Sequence, residues 1–262
     1  GVLEKNGYSL VCHIIEDGQT IDTDIIRDIA ADNIGALIWS KSMEMNDMEK
    51  PDFLKNAMRN LSIPVITMEK YGFDCPGVDI LFDYEKGGYM ATRHLIECGH
   101  RRIGCVAGKQ SFHVTLQRLN GYKKALEESG ISYDPDLVYF GDYTMESGYE
   151  AFSYILGQKV TAIFSMNDEM AFGIYRAARL YGVSIPEDIS IIGFDNVPFA
   201  DVMQIPLTTI GVPVIEMGKK LGEKVVELID NKEKLKEREE ILYTPRLLVR
   251  GSTKSIPPVT VI

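Results

Sequence analysis

Thr161–Asn196 reads TAIFSMNDEMAFGIYRAARLYGVSIPEDISIIGFDN, and its alternation decides the fold class. Ala162–Ser165 is a short apolar run, and Ile189–Gly193 is a second. Between them Ala171, Ile174, Ala178 and Tyr181 recur at the three- and four-residue spacing that lines one face of a helix over Asp168–Tyr181. Asp168 and Glu169 suit the start of that helix, where unpaired amide groups carry partial positive charge. Strand, helix and strand within one short stretch form a βαβ unit, which sets the two strands parallel.

The same alternation extends outward in both directions. Strands are expected at Ser9–Ile15, Ala36–Trp39, Val65–Thr67, Val78–Phe82, Ile103–Ala107 and Val138–Phe140. Helices are expected near Asp22–Asp32, Asp52–Leu61, Glu85–Cys98, Leu116–Ser129, Glu146–Leu156 and Val214–Asp230. In the last of these, Met217, Leu221, Val225 and Leu228 keep helical spacing. Gly99 and Gly130 follow helical runs as C-terminal stops. The strand runs are continuously apolar rather than alternating, which fits sheets covered by helices on both faces. The fold class is therefore α/β, with doubly wound parallel sheets. Asn231–Glu240 is almost wholly charged and reads as a solvated turn or helix end.

Composition narrows the function. With 262 residues, 45% of them hydrophobic, the chain can build a sizeable core in one large domain or two smaller ones. A formal charge of −10 repels phosphate, so these residues alone are not expected to hold DNA. Cys12 and Cys105 lie in apolar runs and are expected as reduced core thiols; with Cys75 and Cys98 they form no CxxC pair. No apolar run is long enough for a membrane helix, and Gly1 opens no secretory leader, so a cytoplasmic protein is expected. The sequence holds no GxGxxG after a strand, no GxxxxGK[ST] and no GxSxG. None of His13, His94, His100 and His113 sits at zinc-ligand spacing. A binding module is expected rather than an enzyme, with no catalytic residue, cofactor or metal.

Several segments then occur in a telling order. Tyr84–Gly108 reads YEKGGYMATRHLIECGHRRIGCVAG, Arg118–Ala125 reads RLNGYKKA and Val138–Asp142 reads VYFGD. Thr161–Gly173 reads TAIFSMNDEMAFG and Val183–Asn196 reads VSIPEDISIIGFDN. Leu207–Ile210 (LTTI), Pro213 and Arg246–Thr253 (RLLVRGST) follow. Taken together, from about Tyr8 to Lys254, they resemble the effector-binding core of the lactose-repressor/galactose-repressor family. The resemblance implies a periplasmic-binding-protein-like fold of two doubly wound lobes joined by three crossings. These fall near Phe82–Asp83, Ile210–Val214 and Thr244–Leu247, with ligand in the cleft at the C-terminal strand ends. It assigns 1–82 plus 214–246 to the N-terminal lobe and 83–213 plus 247–256 to the C-terminal lobe, with 257–262 as a tail. The chain departs from the family pattern at its start. The helix-turn-helix headpiece is absent, and only Gly1–Asn6 precedes the segment Gly7–Leu10, so the opening strand of the core is expected to be missing as well.

The effector-binding candidates are Arg118, Asp195, Asn167, Tyr143 and Phe82. Arg118 matches the family's effector-contacting arginine, and its rigid fork of donors suits sugar hydroxyls or a carboxylate. Asp195, at the end of an apolar strand, accepts hydroxyl hydrogen bonds and would pair with Arg118 across a cleft. Asn167 both donates and accepts. Tyr143 offers an aromatic face to a sugar ring, and Phe82 lies at the expected hinge. Trp39 and Phe194 are read as core or rim aromatics and Asp168 as a helix cap. His100, Arg101 and Arg102 are read as a solvated turn. The resemblance implies the sensor of a ligand-responsive bacterial transcription regulator that takes a sugar or similar small polar molecule. It implies a homodimer, operator DNA reached only through a headpiece outside this chain, and no membrane partner. The alternative is the solute-binding protein of a sugar transporter, which shares the fold.

Overall fold

The computed structural model describes residues 1–14, 34–40, 51–231 and 238–257. In chain order the strands are β1 (Leu37–Trp39), β2 (Val65–Thr67), β3 (Gly77–Phe82), β4 (Ile103–Ala107), β5 (Val138–Phe140), β6 (Ala162–Ser165), β7 (Ser190–Asp195), β8 (Thr208–Gly211), β9 (Arg238–Tyr243) and β10 (Arg246–Leu248). The helices are α1 (Val2–Lys5), α2 (Pro51–Arg59), α3 (Tyr84–Glu97), α4 (His113–Glu128), α5 (Met145–Gly157), α6 (Asp168–Leu180), α7 (Phe199–Val202) and α8 (Val214–Asp230). The chain divides into two compact units: Gly1–Phe82 with Pro213–Tyr243, and Asp83–Val212 with Thr244–Ile262. Pro213 thus goes with the first unit and residues 244–246 with the second, because Arg246 opens a strand that pairs with Gly211.

The first unit carries a parallel sheet in the order β1-β2-β3-β9. Leu37, Trp39, Met58, Val65, Phe73 and Cys75 form its apolar cluster. The charged reading of Asn231–Glu240 is corrected at its end. Arg238–Glu240 begin a strand, because β3 offers a full parallel ladder and Arg238 finds the buried Asp79. The strand expected at Ser9–Ile15 is also corrected over its described part. Residues 9–14 are irregular, with Leu10 62%, Val11 67% and Ile14 89% exposed. Apolar composition alone does not make a strand; the backbone groups need a ladder neighbour, and among the described residues this segment has none. For the same reason Cys12 is exposed rather than buried. The helix expected at Asp22–Asp32 lies outside the described residues.

The second unit holds a six-stranded sheet in the order β10-β8-β7-β6-β4-β5, parallel except for β10, which runs antiparallel on β8. Successive residues of a strand face opposite ways. On β7, Gly193 faces Asp168 of α6, and its neighbour Phe194 faces Gly87 of α3. The helices α3 and α6 therefore cover opposite faces, and the sheet is doubly wound. Gly88 and Gly121 let α3 and α4 cross almost backbone to backbone: a Cβ on Gly88 would stand 2.2 Å from the carbonyl oxygen of Arg118. That crossing fixes the height of Arg118 above the sheet.

The lower end of this sheet corrects another expectation. His100 is only 1% exposed. Its Nδ1 meets the Thr161 hydroxyl at 2.9 Å and its Nε2 the Ser190 hydroxyl at 3.0 Å. Arg101 and Arg102 are exposed, so only they fit the expected solvated turn. The closing segment runs beneath the strands: Ser252 is fully buried, and the Ile256 N–H donates to the Cys98 carbonyl at 2.8 Å.

Candidate functional site

Because β4, β5, β6 and β7 are parallel, their C-terminal ends share one edge of the second unit's sheet, the edge at which open α/β sheets bind ligands. Tyr143, Asn167 and Asp195 all stand there, and Arg118 reaches the same point from α4. An Nη of Arg118 lies 3.4 Å from Asp195 Oδ1, and the other Nη donates to the Met166 carbonyl. The arginine side chain is 7% exposed, whereas that of Asp195 is 33% exposed. Arg118 Nε is buried and has no hydrogen-bond partner among the described residues.

Aromatic rings cage the guanidinium. Its carbon lies 3.9 Å from the ring centre of Phe194, 5.0 Å from Tyr84 and 5.7 Å from Tyr143. Each such contact attracts a cation through the ring's negative face. The rings of Tyr84 and Phe194 stack at 6.2 Å, and those of Phe112 and Tyr143 at 6.3 Å. The Tyr143 hydroxyl meets Thr115 Oγ1 at 2.7 Å. Burial pushes the Asp195 carboxyl up, against the pull of Arg118, and pushes the Tyr143 phenol up in the same way. The result is a loosely paired arginine and carboxylate among aromatic faces. Such a set accepts hydroxyls at the carboxylate and apolar ring surface on the aromatics.

The structure thus brings Arg118, Asp195 and Tyr143 together. Asn167 is adjacent but committed: its Oδ1 accepts from the Met170 N–H and its Nδ2 donates to the Tyr143 carbonyl, each at 2.9 Å. It is the cap of α6, a role expected of Asp168. Asp168 is instead the first helical residue, and its carboxylate turns inward to the Val197 N–H at 2.9 Å and the Thr209 hydroxyl at 2.7 Å. Asn167 takes the cap because its extended backbone leaves its side chain level with the first free amides. Phe82 ends β3 in the first unit and is 5% exposed. Sequence reasoning passed over Tyr84, Phe112 and Thr115, and read Phe194 only as a core or rim aromatic. Phe194 carried a usable signal, since it precedes Asp195 at the strand end and must face the opposite side from Gly193.

Fold and site together define the ligand-binding core of a doubly wound, two-unit α/β protein. Residues 92–253 match the family model described as a periplasmic binding protein-like domain. The chain is 34% identical over 253 residues to the HTH-type transcriptional repressor PurR of Photobacterium profundum, spanning 95% of this chain and 73% of that protein. Among solved structures it is similar to a LacI family transcriptional regulator from Enterococcus faecalis with bound ribose. The TM-score is 0.81 at 27% identity, over 98% of this chain and 91% of that one. It is also similar to the transcriptional regulator CelR in complex with cellobiose, with a TM-score of 0.80 at 27% identity over 96% and 75% of the two chains. The chain belongs to the LacI family of transcriptional regulators and comprises its effector-binding core. These likenesses favour a regulator over the solute-binding protein of a transporter. No helix of the described residues is long and apolar enough to cross a membrane.

Proposed function

We propose that this chain senses a sugar or similar small polar molecule through Arg118, Asp195 and Tyr143, and carries out no chemistry on it. One observation supports the reading above all: a carboxylate one-third exposed stands 3.4 Å from a caged arginine at the ligand-binding edge of a parallel sheet. Asp195 and the Arg118 Nη that faces it would take hydroxyl groups, and Tyr143 would cover a ring face. Asn167 would act by holding the Tyr143 turn. The relatives' own ligands, ribose in one structure and cellobiose in another, agree in class with this set of groups. The regulator would work in the cytoplasm as a homodimer and reach operator DNA through a segment outside these residues.

A thermal-shift screen of ribose, cellobiose, other sugars, sugar phosphates, polyols and purines tests the reading. A ligand held a hundredfold above its Kd stabilises by about 2.7 kcal/mol. Arg118→Ala and Asp195→Ala should each abolish that shift and leave the ligand chemically unchanged. A full shift in both variants removes the site, and turnover of the ligand removes the sensor reading.

A further inference from the structure

Asp195 is held by a turn whose backbone is unusual. Asp195 and Asn196 have φ of 107° and 59°, consecutive non-glycine residues in the region that favours glycine. Such a turn persists only where its surroundings hold it. From outside, Arg250 donates to the Asn196 side-chain oxygen at 2.7 Å and to the Leu207 carbonyl at 2.8 Å. From inside, the hold is Asp168, a fully buried carboxylate with no cation among its described hydrogen-bond partners. One of its oxygens accepts from the Val197 N–H, two residues beyond Asp195, and the other from Thr209 on β8. The space is made for it by Gly193, where a Cβ would come 2.2 Å from Asp168 Oδ1.

We propose that Asp168 is a positioning residue of the candidate site: its carboxylate pins the turn that aims Asp195 at Arg118. The proposal rests on the ligand-site reading of Arg118 and Asp195. A buried carboxylate is costly unless it does something that a neutral side chain cannot, and here it gathers a backbone donor and a hydroxyl donor at one point. Burial pushes Asp168 up to about 6, opposed first by the Thr209 hydroxyl and then by the Val197 N–H, with Asp195 adding to the rise. Tyr175, on the same helix, also feels its charge. The clamp therefore loosens as pH falls through about 6, when a proton occupies one of the two accepting oxygens.

The ligand-free full chain, 15N-labelled, tests this by NMR. Asp195→Asn should move the Arg118 Nε–H resonance. Asp168→Asn should move it in the same direction, and the double substitution should move it no further than Asp195→Asn alone. In Asp168→Asn the Val197 amide should exchange with solvent about tenfold faster or more, as befits loss of a bond to an ionised acceptor, while the Ile192 amide at the centre of β7 keeps its protection. In the wild type the Val197 amide shift should titrate near pH 6. Thr209→Val, which keeps the carboxylate, should raise that midpoint, and Thr209→Ser should restore it. An Arg118 signal unmoved by Asp168→Asn overturns the proposal; so does a pH step that survives Asp168→Asn, since the step then belongs to Asp195. Should Arg118→Ala and Asp195→Ala keep the ligand-induced stabilisation, the site reading fails on its own, and the ligand-free Arg118 signal still decides whether the clamp exists.

Discussion

Among the described residues, each unit sets one largely enclosed arginine against an aspartate, and the two pairs are built to different standards. In the first unit Arg238 Nε donates to both oxygens of Asp79 at 3.0 Å. One Nη reaches the carbonyls of Val65 at 3.3 Å and Cys75 at 3.2 Å, and the other reaches Thr67 and Asp79. Arginine and aspartate are 13% and 3% exposed, and every guanidinium nitrogen is occupied. In the second unit Arg118 touches its aspartate once, at 3.4 Å, leaves Nε without a partner among the described residues, and faces a carboxylate 33% exposed. A saturated buried pair has nothing to offer a ligand and serves to join strands. An unsaturated one has paid the desolvation cost without collecting all its hydrogen bonds, as the proposed effector site requires of Arg118 and Asp195.

The sharpest way to break the comparison is to remove one partner from each pair. Asp79→Ala should destabilise the first unit by about 3–5 kcal/mol, because it strands a buried guanidinium. Asp195→Asn should cost clearly less than Asp79→Ala, since the pair makes a single contact at 3.4 Å and burial already works against the ionised aspartate, while abolishing the ligand response. Urea unfolding followed separately in the two units measures both. Equal losses at the two positions would show that Arg118–Asp195 is as structural as Arg238–Asp79.

Acid should separate the units next. Burial lowers the pKa of both His94 and His100, which hold the closing segment through Thr253 at 2.9 Å and the Lys254 carbonyl at 3.2 Å. The unfolded chain takes these protons first, so their contribution is present above about pH 6.5 and is lost as pH falls below it. Asp168 has the opposite sign: its folded value of about 6 means that its cost disappears as pH falls below 6. His113 acts in the histidines' direction and Asp195 in that of Asp168, so the comparison is made on one residue: His100→Asn should lose less stability between pH 7.5 and 5.5 than the wild type does, read as the shift of the second unit's urea midpoint. The smallest effect is expected at Tyr143→Phe, which loses the hydroxyl contact to Thr115 but keeps the ring. It should cost about 0.5–1.5 kcal/mol of stability and leave ligand affinity within a few-fold by calorimetry.

The sequence by itself determined the alternation, the doubly wound class and the strand-end positions of Asp195, Asn167 and Tyr143, because helical and strand periodicities are local properties of the chain. It also marked Arg118, through a motif rather than through geometry. Tertiary structure alone decided what each polar group does. His100 looked like part of a solvated turn and is buried, because Thr161 and Ser190 arrive from distant strands to receive it. Asp168 looked like a cap and became an inward clamp, because Val197 and Thr209 converge on it from two other elements. Arg238 looked like part of a charged turn and became a strand end, because Asp79 waits beside it. The strand expected at Ser9–Ile15 has no ladder partner over residues 9–14, its described part, among the described residues. Periodicity is written in neighbouring residues, but hydrogen-bond partners for polar groups and strand edges come from far along the chain, so only the folded arrangement assigns them.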